Sequence, residues 1–194
     1  ETMVSVYDVA DDLATLINFN TISDRSNIDL IDWAQDKFEP LGAECVRIPS
    51  DDGKKQNLWA RFGGDEPGGI VLSGHTDVVP VEGQDWHTDP FVMQEKDGRL
   101  YGRGTCDMKC FLAYCTAYAS TIANMKLKRP VLIAFSYDEE VGCTGVPSMI
   151  EKIAKSDMKP SVAWIGEPTN WRVVSGHKGI TVTKVEITGR EAHS

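Results

Sequence analysis

At 194 residues, 41% of them hydrophobic, the chain is long enough to bury a core and is not a disordered polypeptide. Its 20 Lys and Arg against 29 Asp and Glu leave a formal charge of −9 without any basic block, which argues against nucleic acid and anionic membrane surfaces as partners. Apolar runs stay far short of the roughly 20 residues that span a bilayer, and no basic segment followed by an apolar one opens the chain, so a soluble cytoplasmic protein is expected.

Val6, Val9, Ala10, Leu13, Leu16 and Ile17 recur at helical spacing behind a Ser5-x-x-Asp8 capping signal, predicting a first amphipathic helix. A second is predicted over 29–38, stopped by Pro40 and Gly42. Residues 44–48 and 57–62 then alternate as strands, with Leu58, Ala60 and Phe62 on one face. Gly63 to Gly69 reads as a turn. Ile70-Val71-Leu72 is a short apolar run of the kind that fills a central strand. Asp97-Gly98 between residues 91–96 and 99–101 is a hairpin signal, because both turn residues tolerate positive φ. A long helix over about 107–125, a strand over 131–137, a helix from Pro147 to about Lys155 and a further buried strand at 162–165 follow. Strands alternating with helices predict an α/β domain with a largely parallel sheet. From Gly179 the pattern turns to alternating β, Thr181 to Thr188, as though a second domain begins.

Five cysteines, Cys45, Cys106, Cys110, Cys115 and Cys143, make an odd number without a CxxC pair, which fits reduced thiols and neither a disulfide framework nor a structural zinc finger. The chain closes on Gly189-Arg190-Glu191-Ala192-His193-Ser194 with no turn to finish its last strand pattern, and is expected to be a piece of a longer protein.

The chemistry gathers where apolar elements start or stop. His75 and Asp77 follow the run at 70–72, Asp107 heads the long helix, Glu139-Glu140 follow the strand at 131–137, and Glu167 follows the one at 162–165. Taken singly, Asp107 reads as a helix N-cap, Glu139-Glu140 as a solvated loop and Glu167-Pro168 as a turn. Together they are candidate metal ligands, since the crevice at the carboxyl ends of parallel strands is where such sheets bind ligands. Carboxylates brought together without a cation would raise one another's pKa, whereas a divalent ion makes the cluster favourable. Asp77, two residues beyond His75, is placed to accept its other ring N–H and fix its tautomer. Of two neighbouring glutamates, one can ligate while the other holds a water as general base. Mixed His and carboxylate ligation suits zinc or another first-row ion in a water-bearing site, and a second metal some 3.5 to 4 Å away is a common hydrolase arrangement.

At these residues the sequence resembles the zinc-dependent amidohydrolase and exopeptidase family. The stretches that carry the resemblance are SGHTDVVP (73–80), YGRGTCDMK (101–109), YDEEVGCTG (137–145) and IGEPT (165–169), in the family's order and spacing. Within the family, GEPTNWRVVSGHKGI (166–180) most resembles the acetylornithine deacetylases; desuccinylases usually carry two arginines where His177-Lys178 stand. The resemblance implies a three-layer α/β catalytic domain with a mostly parallel mixed sheet over residues 1–178, and the first strand of a smaller α+β dimerisation (lid) domain over 179–194. It implies that His75, Asp107 and Glu167 hold one zinc, that Asp107 bridges to a second also bound by Glu140, and that cobalt can substitute. It makes Glu139 the general base, Asp77 the group that orients His75, and His193 a stabiliser of the oxyanion, often in a partner subunit's site. A homodimer is implied for the full-length protein. The peptide after the bridging Asp, here Asp107-Met108, is commonly cis in the family.

Two departures stand out. Cys110 replaces the family's usual glycine, and reads as a packing variant. The family's last zinc ligand is a histidine far downstream that this chain does not supply, so the piece is expected to be inactive alone. The function implied is hydrolysis of a small N-acyl amino acid, N-acetylornithine first. A desuccinylase or a broader aminoacylase or dipeptidase is the alternative within the class, and a catalytically silent binding or dimerisation module the alternative outside it.

Overall fold

A computed structural model describes residues 4–190. Helix α1 (Val6–Asn18) starts on the predicted capping box: Ser5 Oγ accepts from Asp8 N at 3.2 Å, and Ser5 N donates to Asp8 Oδ2 at 2.7 Å. Two of the four orphan N-terminal amide groups of the chain's first helix are thereby engaged. Helix α2 (Ile28–Phe38) runs into a short 3₁₀ turn and ends at Gly42, whose φ of 85° is the left-handed conformation a helix stop requires.

The strands β1 (Glu44–Pro49), β2 (Gln56–Phe62), β3 (Ile70–His75), β6 (Val131–Ser136) and β7 (Val162–Ile165) form one sheet in the order β1-β2-β6-β3-β7. The β1/β2 and β2/β6 pairs are antiparallel; β6, β3 and β7 are parallel. Strands β4 (Gln94–Lys96) and β5 (Arg99–Tyr101) make the predicted hairpin, with Asp97 and Gly98 both at positive φ.

Both faces of the sheet's centre are covered. Alternation along β2 sends Leu58, Ala60 and Phe62 to one face, where they meet α1, α2, helix α3 (Lys109–Ala123) and the β6 residues Ile133 and Phe135 in the larger core. Leu16, Ile17, Leu30, Ile31, Phe38 and Leu112 are fully buried there, each contributing about 1.5–3 kcal/mol through lost water contact. Trp59, Leu132, Ala134 and Val71 face the other way, under Met149 of α4 (Val146–Lys155).

The register explains what the ends of the sheet deliver. His75 pairs with Ser136, and Ser73 with both Ala134 and Ile165, so β3, β6 and β7 stop nearly level. Two glycines let α3 approach them. A Cβ on Gly74 would stand 2.7 Å from Leu112 and 3.0 Å from Met108, and one on Gly166 would fall inside the Phe111 ring.

Three expectations are corrected. Helix α3 begins at Lys109, so Asp107 is not its N-cap; that place falls to Met108, beyond a cis Asp107-Met108 peptide. The strand at 162–165 is not buried: Val162, Trp164 and Ile165 are each more than half exposed, because among the described residues β7 pairs only with β3 and sits at the sheet's edge. No strand forms at 181–188. That alternating stretch is exposed and finds no pairing strand among the described residues, and alternation alone does not hold an isolated strand.

Candidate metal centre

His75 ends β3 with its ring 2% exposed and its two nitrogens in different surroundings. Nδ1 lies 2.9 Å from the carbonyl oxygen of Asp77 and donates to it, which leaves Nε2 as the ring atom that faces the crevice. There Nε2 meets Asp107 Oδ1 at 3.0 Å, Glu167 Oε1 at 3.7 Å and Glu139 Oε2 at 3.9 Å. Single donor atoms of His75, Asp107 and Glu167 lie within 4.8 Å of one another, and so do those of His75, Glu139 and Glu140. The four carboxylates arrive from three places: Asp107 from the approach to α3, Glu139 and Glu140 from the turn after β6, Glu167 from the turn after β7.

Asp77 is buried behind them and does more than the sequence implies. Its carboxylate is 3.5 Å from Nδ1 of His75, farther than its carbonyl. Its shorter bonds are to the Ser23 hydroxyl at 2.7 Å and to the backbone N–H groups of Glu139 at 3.0 Å and Glu140 at 3.2 Å. The residue that fixes the imidazole therefore also fixes the acidic turn.

The electrostatics are those of a cation site. Burial pushes the Glu140 carboxyl up to about 7, reinforced by Asp107, Glu139 and Asp77 and opposed by His75. Glu167 is raised for the same first reason, burial, with His75 again opposing. For His75, burial disfavours the imidazolium, but hydrogen bonds to Asp107 and Asp77 and the nearby carboxylate charge outweigh it and lift the ring to about 11. Asp77, despite burial, is held low by its bonds to His75, Ser23 and the Glu139 amide. Such mutual repulsion is what a bound divalent ion relieves, so the oxygen and imidazole donors fit one.

Of the residues singled out in the sequence, His75, Asp107, Glu139, Glu140 and Glu167 come together and Asp77 supports them. His193 lies outside the described residues. His177 is exposed, its Nδ1 beside the Lys178 carbonyl. Cys110 is half-buried and its thiol is pushed up by burial, in keeping with packing.

Four residues escape the sequence reading. Ser23 and Lys55 are loop residues without any pattern. Asn57 is wholly buried: its Oδ1 accepts from Tyr137 N at 3.2 Å and its Nδ2 donates to Gly145 O at 2.9 Å, so it closes both ends of the turn that carries Glu139 and Glu140. Lys109 is also wholly buried and donates to the carbonyls of Leu16 and Phe19 at the end of α1, at 2.9 and 2.7 Å. Burial pushes its amine down to about 7, with Asp77 opposing. The one signal for Asn57 is that it shares with Trp59 the face of β2 that packs under α4.

A mostly parallel α/β sheet that gathers one histidine and several carboxylates at its carboxyl edge has the architecture of the metal-dependent hydrolases. Residues 71–193 match the peptidase family M20/M25/M40, and the chain belongs to that family. It is 37% identical over 181 residues to an acetylornithine deacetylase of Pasteurella multocida (strain Pm70), covering 93% of this chain and 46% of that protein. It is 39% identical over 173 residues to an acetylornithine deacetylase of Shigella sonnei (strain Ss046), covering 88% and 44%. The chain thus spans less than half the length of these curated relatives. Among solved structures, an M20 family metallo-carboxypeptidase from Sulfolobus solfataricus shares the fold with a TM-score of 0.70 at 20% identity, covering 81% of this chain and 37% of that one. Human carnosine dipeptidase 1 does so with a TM-score of 0.68 at 24% identity, covering 82% and 37%.

Proposed function

We propose that this chain is the ligand-bearing part of a zinc amidohydrolase that cleaves N-acetylornithine to ornithine and acetate, as a cytoplasmic homodimer serving arginine biosynthesis. The observation that carries the reading is the convergence on His75 Nε2 of Asp107, Glu139 and Glu167, with Glu140 grouped alongside. Both deacetylase relatives support the choice of acyl group.

In this reading residues 1–178 belong to the catalytic domain and 179–194 open the dimerisation domain. His75, Asp107 and Glu167 would hold one zinc, Asp107 and Glu140 would serve a second, and cobalt would be a competent substitute. Bound zinc supplies a Lewis acid that polarises the acyl carbonyl and lowers the pKa of water. The protein's own groups do the rest. Glu139 takes a proton from the attacking water as its oxygen adds to the acyl carbon, and returns it to the amine nitrogen as the C–N bond breaks. Asp77 keeps the imidazole in the tautomer that presents Nε2, and His193 stabilises the oxyanion across the dimer.

The test is zinc-supplemented amine release by a polypeptide of the relatives' length carrying this chain, with N-acetylornithine and N-succinyl-diaminopimelate compared. Preference for the acetyl substrate is expected; preference for the succinyl one replaces the substrate and keeps the chemistry, and turnover of neither leaves a silent binding module. The 194-residue chain alone is expected to turn over little, because the family's downstream histidine ligand is not among its residues.

A further inference from the structure

Lys55 stands just before β2, with its side chain 17% exposed, and points at the turn that follows β6. Its ammonium donates to Asp138 Oδ1 and to the backbone carbonyl of Ser23. Each acceptor leads to the candidate centre. Asp138 directly precedes Glu139 and holds a φ of 61°, a left-handed conformation that Asp tolerates better than most residues with a side chain. Its other carboxylate oxygen accepts from Thr144 Oγ1 at 3.2 Å. Ser23, on the other arm, donates its hydroxyl to Asp77, the residue that accepts the amides of Glu139 and Glu140. One cation therefore joins the residue that opens the acidic turn to the Ser23 segment, which reaches the same turn through Asp77. It also balances the Asp138 carboxylate, so that a third adjacent negative charge is not added uncompensated to Glu139 and Glu140.

We propose that Lys55 is a positioning residue for the metal centre: by pairing with Asp138 and the Ser23 carbonyl it fixes the backbone that presents Glu139 and Glu140. The role rests on the proposed metal reading, but the geometry it imposes is present without an ion and can be measured without one.

The experiment uses the metal-free chain, its Lys55→Met and Lys55→Arg variants, and amide hydrogen exchange resolved to single residues. In Lys55→Met the Glu139 and Glu140 amides should exchange about tenfold faster, while the β6 amides of Leu132 to Phe135 keep their protection. Lys55→Arg, which keeps the cation, should stay within about threefold of the parent. A cobalt titration of the same proteins should show a loss of about 10–100-fold in affinity for the methionine variant alone. Unchanged exchange at Glu139 and Glu140, or faster exchange throughout β6, overturns the positioning role. Failure of the parent itself to bind cobalt overturns the metal reading and with it the role of Lys55 toward that centre. If Lys55→Met does not fold, Asp138→Asn breaks the same ion pair while sparing the Ser23 contact, and the same local change is expected of it.

Discussion

The carbonyl oxygen of Asp77, not its carboxylate, makes the shorter contact to Nδ1 of His75, 2.9 against 3.5 Å. The carboxylate is occupied by Ser23 and by the amides of Glu139 and Glu140. Replacing Asp77 should therefore leave the imidazole's tautomer largely intact and act through the acidic turn. Asp77→Ala is expected to weaken zinc binding by about 10–100-fold, and Asp77→Asn, which keeps an acceptor oxygen, by less. Calorimetric titration separates the two; equal losses would mean that charge, and not acceptor geometry, is what the turn needs.

The metal-free cluster should make stability fall with rising pH. Glu140 rises from 4.5 unfolded to about 7 folded, and Glu167 is raised too, so between those values the folded chain binds more protons than the unfolded one. The stability these groups contribute is full below about 4.5 and lost as pH climbs through 7. Urea unfolding from pH 4.5 to 8 should show this decline, and Glu140→Gln should flatten part of it. A metal must displace these protons, so its affinity should climb with pH and its binding should release protons to the buffer.

Asn57 offers a purely structural contrast. Asn57→Leu has similar volume but strips Tyr137 N of its acceptor and Gly145 O of its donor, both buried. A loss on the order of 3 kcal/mol is expected by chemical denaturation, together with faster proteolysis between residues 137 and 145.

For Glu139 the decisive pair of measurements is turnover and metal content. Glu139→Gln in a full-length protein should abolish turnover, by at least about 10²-fold, with metal retained. Loss of metal in that variant would make Glu139 a ligand, a role its 3.9 Å approach to His75 also allows.

How much of this was legible in the sequence follows from distance along the chain. The ligand candidates were readable because each follows an apolar run or closely precedes a helix, and strand order then brings them level. Their supports were not, because Ser23 with Asp77, Lys55 with Asp138 and Asn57 with Gly145 are 54, 83 and 88 residues apart, and no local pattern marks them. Residues 162–165 show the converse. Their apolar run reads as buried, yet burial is decided by neighbouring elements, and at the edge of the sheet they have, among the described residues, a neighbouring strand on one side only.

That edge bears on how the chain behaves in solution. Among the described residues β7 pairs with no strand beyond β3, which leaves its outer side open beside Val162, Trp164 and Ile165, and no charged or proline residue interrupts its four positions. Proteins ordinarily blunt such edges with charge or proline, because an open apolar strand templates the addition of another. The strand whose carboxyl end delivers Glu167 to the acidic centre thus presents, along its outer side among the described residues, a self-adhesive border, and the 194-residue chain should grow heavier with concentration in sedimentation unless Ala163 or Trp164 is replaced by lysine.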